Sequence, residues 1–446
     1  MTRFGLAGIL TGLCALVLTI AAPAFAYELN EQRDFWVWDL SVMPPDDDQI
    51  SATCRGVGDH VAVFVQDDAW SAGTMDENDI DAVIDAWEGG ITKETGIYQT
   101  EIDVFGNITD VDDDPRVVLL FYELACFQGT CFDGMFRFSD LSPGAGSNEM
   151  EMLHLNIDQS DPSSDYMLGV VAHEFNHMIH QPKDLDEDLW LSEAMAEAAM
   201  MVCGYEDAAW VHDYLAESDV TFLGDIHGVH YGAAMVLGMF IYERIGDDIA
   251  QLISDGGNGM NSLQLFFDNA FGDDYDIFGD LAQSIFLDEI EKLDLSGLEP
   301  AYTADTSGDG TYQGEETIES GSIHFIQIAP QSSDEAVQVA LTGDNTDRLS
   351  VYSAVDTGEM VTVESLSVPD SCTSFVAGAD VSLIVANGTP GDISYALDLE
   401  SFSGGCGSGN DDDDAADDDD TADDDTPDDD DQSAGDDDDD DSGCCG

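Results

Sequence analysis

Charge imbalance is what most limits how this chain can fold. Ninety-six acidic side chains face ten basic ones, for a formal net charge of −86 over 446 residues. Few acids can be paired internally, so a core has to come from dense apolar runs, and a stretch without them stays unfolded. Residues 404–446 are such a stretch: GGCGSGN, then Asp runs broken by Ala, Thr and Pro, then SGCCG. They are predicted to be a disordered, solvating tail, with weak calcium capture or surface tethering as sharper roles, and Cys444 and Cys445 belong to no core. The rest of the chain is acidic too, with three lysines, Lys93, Lys183 and Lys292. Phosphate contact needs a basic surface, so nucleic acid is excluded as a partner.

The opening MTRFGLAGILTGLCALVLTIAAPAFA has an early Arg, an uncharged apolar stretch and Ala24-x-Ala26. That three-part pattern predicts a signal peptide over residues 1–26 and a secreted, extracellular protein, with cell-surface association through the tail as an option. No later segment is apolar enough to span a bilayer. Export favours disulfides: Cys126 with Cys131 would staple the loop ACFQGTCF, and Cys54–Cys203 and Cys372–Cys406 are further candidate pairs.

Hydrophobic periodicity divides the remainder. Residues 27–160 are β-rich, with FWVWDL, HVAVFVQ, PRVVLLFYEL and MEMLHLNI reading as strands, and residues 161–300 turn helical. Residues 318–403 carry evenly spaced strand runs separated by Gly, Asp and Asn, which predicts a β-sandwich. Between them, DTSGDGTYQGEE places Asp305, Ser307, Asp309, Thr311 and Glu316 at calcium-loop positions, so residues 301–317 read as a candidate Ca2+-binding linker or a plain polar turn.

The chemistry concentrates in GVVAHEFNHMIHQP, residues 169–182. A helix starting near Ser163–Asp165 and stopping before Pro182 would set His173 and His177 on one face, where both imidazoles reach one ion. Glu174 flanks that ion and can take a proton from water and pass it to a leaving amine. A catalytic zinc wants a third ligand, and DLWLSEAMAEAAM supplies Glu193 on a second helix after a short polar loop. Glu197, one turn on, is placed to accept a hydrogen bond from a ligand imidazole. His180 fits no ligand spacing and reads as a helix-end histidine near the C-terminal dipole.

HEFNHMIH, WLSEAMAE and HYGAAMVLGMFIYERIG, with FGNITDVDDDPRVVLLFYEL and SNEMEMLHLNI upstream, resemble the hyicolysin-type zinc metallopeptidases, a gluzincin group with two His and one Glu as ligands. The resemblance covers roughly residues 31–255. It implies an α+β zincin-like catalytic domain over 27–300, a mixed sheet with MEMLHLNI as its edge strand followed by a helical subdomain, with the all-β sandwich and disordered acidic tail beyond it. It also implies a protein or peptide substrate, Zn2+ as cofactor, and an oxyanion donor on a later helix. Tyr231 is the best candidate for that donor, with His227 and His230 behind it. Membrane alanyl aminopeptidases share W-L-x-E but carry G-x-M-E-N, from which GAGSNEME departs, so endopeptidase action is favoured over exopeptidase action. The reading from another class is a catalytically inactive zincin-fold adhesion or calcium-dependent binding protein.

Self-repulsion on so acidic a surface relaxes when salt screens it. Thermal melts across a NaCl series are expected to show stability rising with ionic strength. A stability maximum in dilute buffer without divalent cations would contradict this.

Overall fold

VAVFVQ and VVLLFY are apolar at every position but the last, which suits strands covered on both faces. In the computed structural model, which describes residues 27–406 except 91–94, 127–130, 159, 206–207, 225 and 255–256, they are adjacent parallel strands at the centre of a six-stranded sheet. The signal-peptide expectation for residues 1–26 and the tail beyond Cys406, with Cys444 and Cys445, lie outside the described residues. The sheet runs β1 (Gln32–Asp39), β2 (Asp46–Val57), β3 (Val61–Gln66), β4 (Val117–Tyr122), β6 (Met152–Asn156), β5 (Gly134–Phe136). Helices α1 (Asp67–Ala72), α2 (Glu77–Glu88) and α3 (Ile97–Phe105) fill the crossover between β3 and β4. Strand alternation splits the burial: Val61, Val63, Val65, Leu119 and Phe121 face the helices, whereas Ala62, Phe64, Val118 and Leu120 meet Tyr27, Phe35 and Val37 on the other side.

MEMLHLNI is not the edge strand. β5 pairs antiparallel with β6, matching Gly134 with Leu155 and Phe136 with Leu153, and takes the edge position. Every residue of β6 is buried, so its outer backbone groups need a partner other than water. A disulfide joins Cys126 to Cys131, between β4 and β5 in the chain.

Helices α4 (Asp165–His180), α5 (Leu189–Val202), α6 (Ala208–Ala216) and α7 (Val229–Ile245) pack on one another, followed by α8 (Ile249–Leu252), α9 (Gly259–Phe271) and α10 (Ile277–Phe286). α5 and α7 cross closely because Gly238 has no Cβ; one there would lie 1.9 Å from the carbonyl oxygen of Ala194.

The C-terminal region is all β. One sheet orders β13 (Asp370–Ser374), β10 (Ala336–Thr342), β15 (Ile393–Phe402) and β8 (Thr311–Ile318). The other orders β12 (Val361–Ser365), β11 (Ser350–Asp356), β14 (Asp380–Asn387), β9 (Ser322–Ala329) and β7 (Tyr302–Asp305). Ile326, Ile328, Leu383 and Val385 pack between the sheets, while Ile323, Phe325, Ile384 and Ala386 join the helical core. The second sheet is therefore covered on both faces, and the described residues through Cys406 belong to one compact unit.

Three expectations change here. Residues 301–317 carry β7 and β8 rather than a calcium loop. Asp305 accepts from Ser307 N (2.8 Å) and Asp309 accepts from Thr311 N (3.1 Å), so both cap a tight turn, while Glu316 sits on β8 opposite Tyr395. Thr311 and Glu316 are five positions apart along β8, roughly 16 Å, so Glu316 is too far to share an ion with the turn. Cys54 and Cys203 form no disulfide, because they are buried in different cores. Cys372 does pair with Cys406, so the ordered chain extends into the segment assigned to the tail.

Gly238→Ala should lower stability by roughly 1–3 kcal/mol, the usual cost of overpacking against unyielding backbone. Chemical denaturation reads it, and an unchanged midpoint would show that the α5–α7 crossing adjusts freely.

Candidate metal centre

Ser164 caps the start of α4, its Oγ accepting from Met167 N at 3.3 Å, and the helix ends one residue before Gln181–Pro182. This puts His173 and His177 one turn apart on the same face. The chain then doubles back through residues 181–188. Glu187 holds this return, accepting from Gly259 N and Asp188 N, both at 2.7 Å. α5 follows against α4 and presents Glu193 and Glu197 to the two imidazoles.

Three donors converge. Nε2 of His173 lies 3.1 Å from Nε2 of His177 and 3.3 Å from Glu193 Oε2, and His177 Nε2 lies 3.6 Å from Glu193 Oε1. Tetrahedral coordination at roughly 2.0–2.1 Å requires donors about 3.3–3.4 Å apart. The observed spacings of 3.1 to 3.6 Å lie near that requirement, with each imidazole facing a different oxygen of Glu193, and two neutral-capable nitrogens with one carboxylate suit a borderline divalent ion. The outer nitrogens are held as well: His173 Nδ1 donates to Glu197 Oε1 at 3.2 Å, and His177 Nδ1 lies 3.3 Å from Ser192 Oγ. These contacts leave both Nε2 atoms for the ion.

The electrostatics are those of a donor set short of a cation. Burial works to raise Glu193, but the charge of His177 and the hydrogen bond from His173 outweigh it and hold the carboxyl at about 2. Burial alone would strip His173 of its proton; hydrogen bonds to Glu193 and Glu197 instead raise it well above the usual imidazole range. His177 is pushed down to about 4 by burial, with His173 adding to the shift. Glu174 is 8% exposed, and burial pushes it up to about 7, His173 opposing and Glu193 reinforcing the rise.

Glu174 sits under β5. The Phe136 backbone hydrogen-bonds its carboxylate, and a Cβ on Gly134 would come within 2.8 Å of Glu174 Cγ. Two cavities of about 380 and 370 Å³ flank the centre, and His173, Glu174, Gly134 and Tyr231 line both. The larger is apolar, with Val170, Met200 and Trp210 in its wall. Burial, then the acids Glu193, Glu197 and Glu174, raise the Tyr231 phenol, which keeps it protonated and able to donate.

The structure thus gathers His173, Glu174, His177, Glu193, Glu197 and Tyr231 at one place, with His227 lining the larger cavity. His230 instead contacts the His227 carbonyl through Nδ1 at 2.9 Å. Asp305, Ser307, Asp309, Thr311 and Glu316 are not brought together. His180 is the last residue of α4, but burial drives it down to about 3, so it is neutral and makes no charge–dipole contact. Sequence reasoning missed Ser192, although its position beside Glu193 on an amphipathic helix is a usable signal. It also missed β5, whose three residues carry too little periodicity to read.

No protein-family profile and no curated protein matches this chain. Among solved structures, one likeness is to PliG of Aeromonas hydrophila, a periplasmic inhibitor of g-type lysozyme, at 9% identity over 23% of this chain and 96% of that one, with a TM-score of 0.19. PliG of Salmonella Typhimurium gives 11% identity, 23% and 98% coverage and a TM-score of 0.18. A family GH115 4-O-methyl-α-glucuronidase specific for decorated arabinogalactans gives 8%, 65% and 51%, and 0.15. TM-scores this low carry no argument about fold or activity.

Removing an orienting partner typically costs ten- to a hundredfold in metal affinity. Glu197→Gln is expected to weaken divalent-ion binding by about that factor in a chelator competition assay. Unchanged affinity would mean that His173 is oriented by packing alone.

Proposed function

We propose that this protein is a secreted zinc endopeptidase with a zincin-like catalytic region, of the hyicolysin-type gluzincin kind. The observation that carries this reading is the His173–His177–Glu193 triangle, sized for one tetrahedral ion, with Glu174 beside it and outside the donor set. A zinc ion there would polarise a peptide carbonyl and make water nucleophilic near neutral pH. The protein's own residues do the rest.

Glu174 is the proton carrier. Its buried carboxyl, poised at about 7, can accept a proton from the attacking water and return it to the leaving amine. Glu197 and Ser192 fix the two imidazole rings, and Tyr231 supplies a hydrogen-bond donor to the developing oxyanion. β5 supports a peptide substrate: it is an antiparallel edge strand of intermediate exposure beside Glu174, so an extended chain can add to it through backbone hydrogen bonds. The cavities on either side of the centre suit a chain that continues in both directions, hence internal cleavage. Asn148, in the segment where aminopeptidases anchor the substrate amine, is engaged by Trp36 and Asp140.

Glu174→Gln should retain zinc while casein hydrolysis falls roughly 10²–10⁴-fold, the usual contribution of a general base. His177→Ala should lose both metal and activity, and phenanthroline should inhibit the wild type. Full activity in the Glu174 variant removes the mechanism. Zinc binding without any chelator-sensitive proteolysis points instead to an inactive zincin-fold binding protein.

A further inference from the structure

A second convergence of carboxylates lies away from the α4–α5 centre, where the loop between α3 and β4 meets the residue preceding β6. Asp110, Asp112 and Glu151 each offer an oxygen, and these lie within 4.8 Å of one another. Among the described residues, no Lys or Arg forms an ion pair with any of the three. Arg116 is engaged elsewhere, donating to Asp114 Oδ1 at 3.0 Å and to the Tyr27 carbonyl at 3.1 Å.

Glu151 separates this group from the many exposed acids of the surface. It is 2% exposed, its Oε1 accepts from Val111 N, and its Oε2 is buried with no hydrogen-bond partner. Val111 lies between Asp110 and Asp112, so the buried carboxylate is directed into the middle of the acidic loop. The loop is shaped around it: Asp110 accepts from Asp113 N at 2.8 Å, Asp112 accepts from Asp114 N at 2.9 Å, and Tyr27 OH donates to the other oxygen of Asp112. A buried carboxylate against two others, without a counter-charge, is expected either to pick up a proton or to coordinate a cation.

We propose that Asp110, Asp112 and Glu151 bind a calcium ion. All the donors are hard carboxylate oxygens, which exclude a preference for zinc or copper. Calcium accepts the irregular arrangement of a loop plus one strand-end residue, with water and backbone oxygens completing its shell, whereas magnesium demands a near-ideal octahedron. The ion would clamp three separate parts of the chain: the segment at Tyr27, through Asp112; the loop leading into β4; and the start of β6. This site is independent of the peptidase reading and stands or falls separately from it.

The test uses the full chain, freed of calcium on a chelating resin, with Ca2+ added at constant ionic strength and Mg2+ as control. The melting temperature of the wild type should rise saturably with Ca2+. Terbium bound in its place should luminesce on tyrosine excitation, because the Tyr27 phenol touches Asp112. Residues 404–446 contain no aromatic side chain, so the C-terminal Asp runs carry no sensitiser of their own. Glu151→Gln should abolish both responses. Asp110→Asn, at an exposed position that cannot disturb the core, should weaken terbium binding at least tenfold. Variants that respond like the wild type, or a wild type with no saturable response, overturn the proposal.

Discussion

A carboxylate can lie between two helices only if something cationic or hydrogen-bonding meets it there, and Glu193 is in that position. Its side chain is 14% exposed and reaches both His173 and His177. Desolvation alone would destabilise its charged form, and the two imidazoles of α4 reverse that. The pairing works only while α4 and α5 keep their spacing, which in turn rests on α7 approaching α5 at Gly238 and on β5 approaching α4 at Gly134. Local chemistry and global packing are therefore one constraint: the helices are held where the donors meet, and Glu193 keeps its charge in a site that excludes water because the imidazoles meet it there.

The same scarcity of positive charge governs the rest of the molecule. Two arginines are placed on fully buried acids, Arg116 on Asp114 and Arg137 beside Asp140 and its partner His154, while Arg244 meets the partly exposed Asp280. Many other acids serve as turn and helix caps, as Asp76 does for α2 and Asp309 for the β7–β8 turn. Two acids left outside this allocation, the partly buried Glu193 against its imidazoles and the buried Glu151, each sit in a group with metal-ligand spacing.

Much of α4 was legible in the sequence. Ser164, the apolar spacing and Pro182 bound α4 to within a residue or two, and i, i+4 geometry placed both histidines on one face. Glu193 and Glu197 were legible for the same reason, as acids on an otherwise apolar helix. The edge of the sheet was not, because Gly134–Phe136 is too short to show a period and gains its strand conformation only by pairing with β6. The calcium-loop pattern at Asp305–Glu316 misled because residue spacing does not report backbone path: the same twelve positions fit a loop or a strand–turn–strand corner, and pairing of β7 with β9 and of β8 with β15 draws the two strands into different sheets.

By itself the sequence determined what depends on near neighbours along the chain: the helix carrying His173 and His177, the strand runs, and the acids available for coordination. Tertiary structure alone decided which strand closes the sheet, that Cys54 and Cys203 lie in separate cores, and that Glu151 meets Asp110 and Asp112 across some forty residues of sequence. The physical reason is range. Periodicity and capping act over one or two turns, whereas the partner of a buried oxygen or an open strand edge is set by packing that only the complete fold supplies.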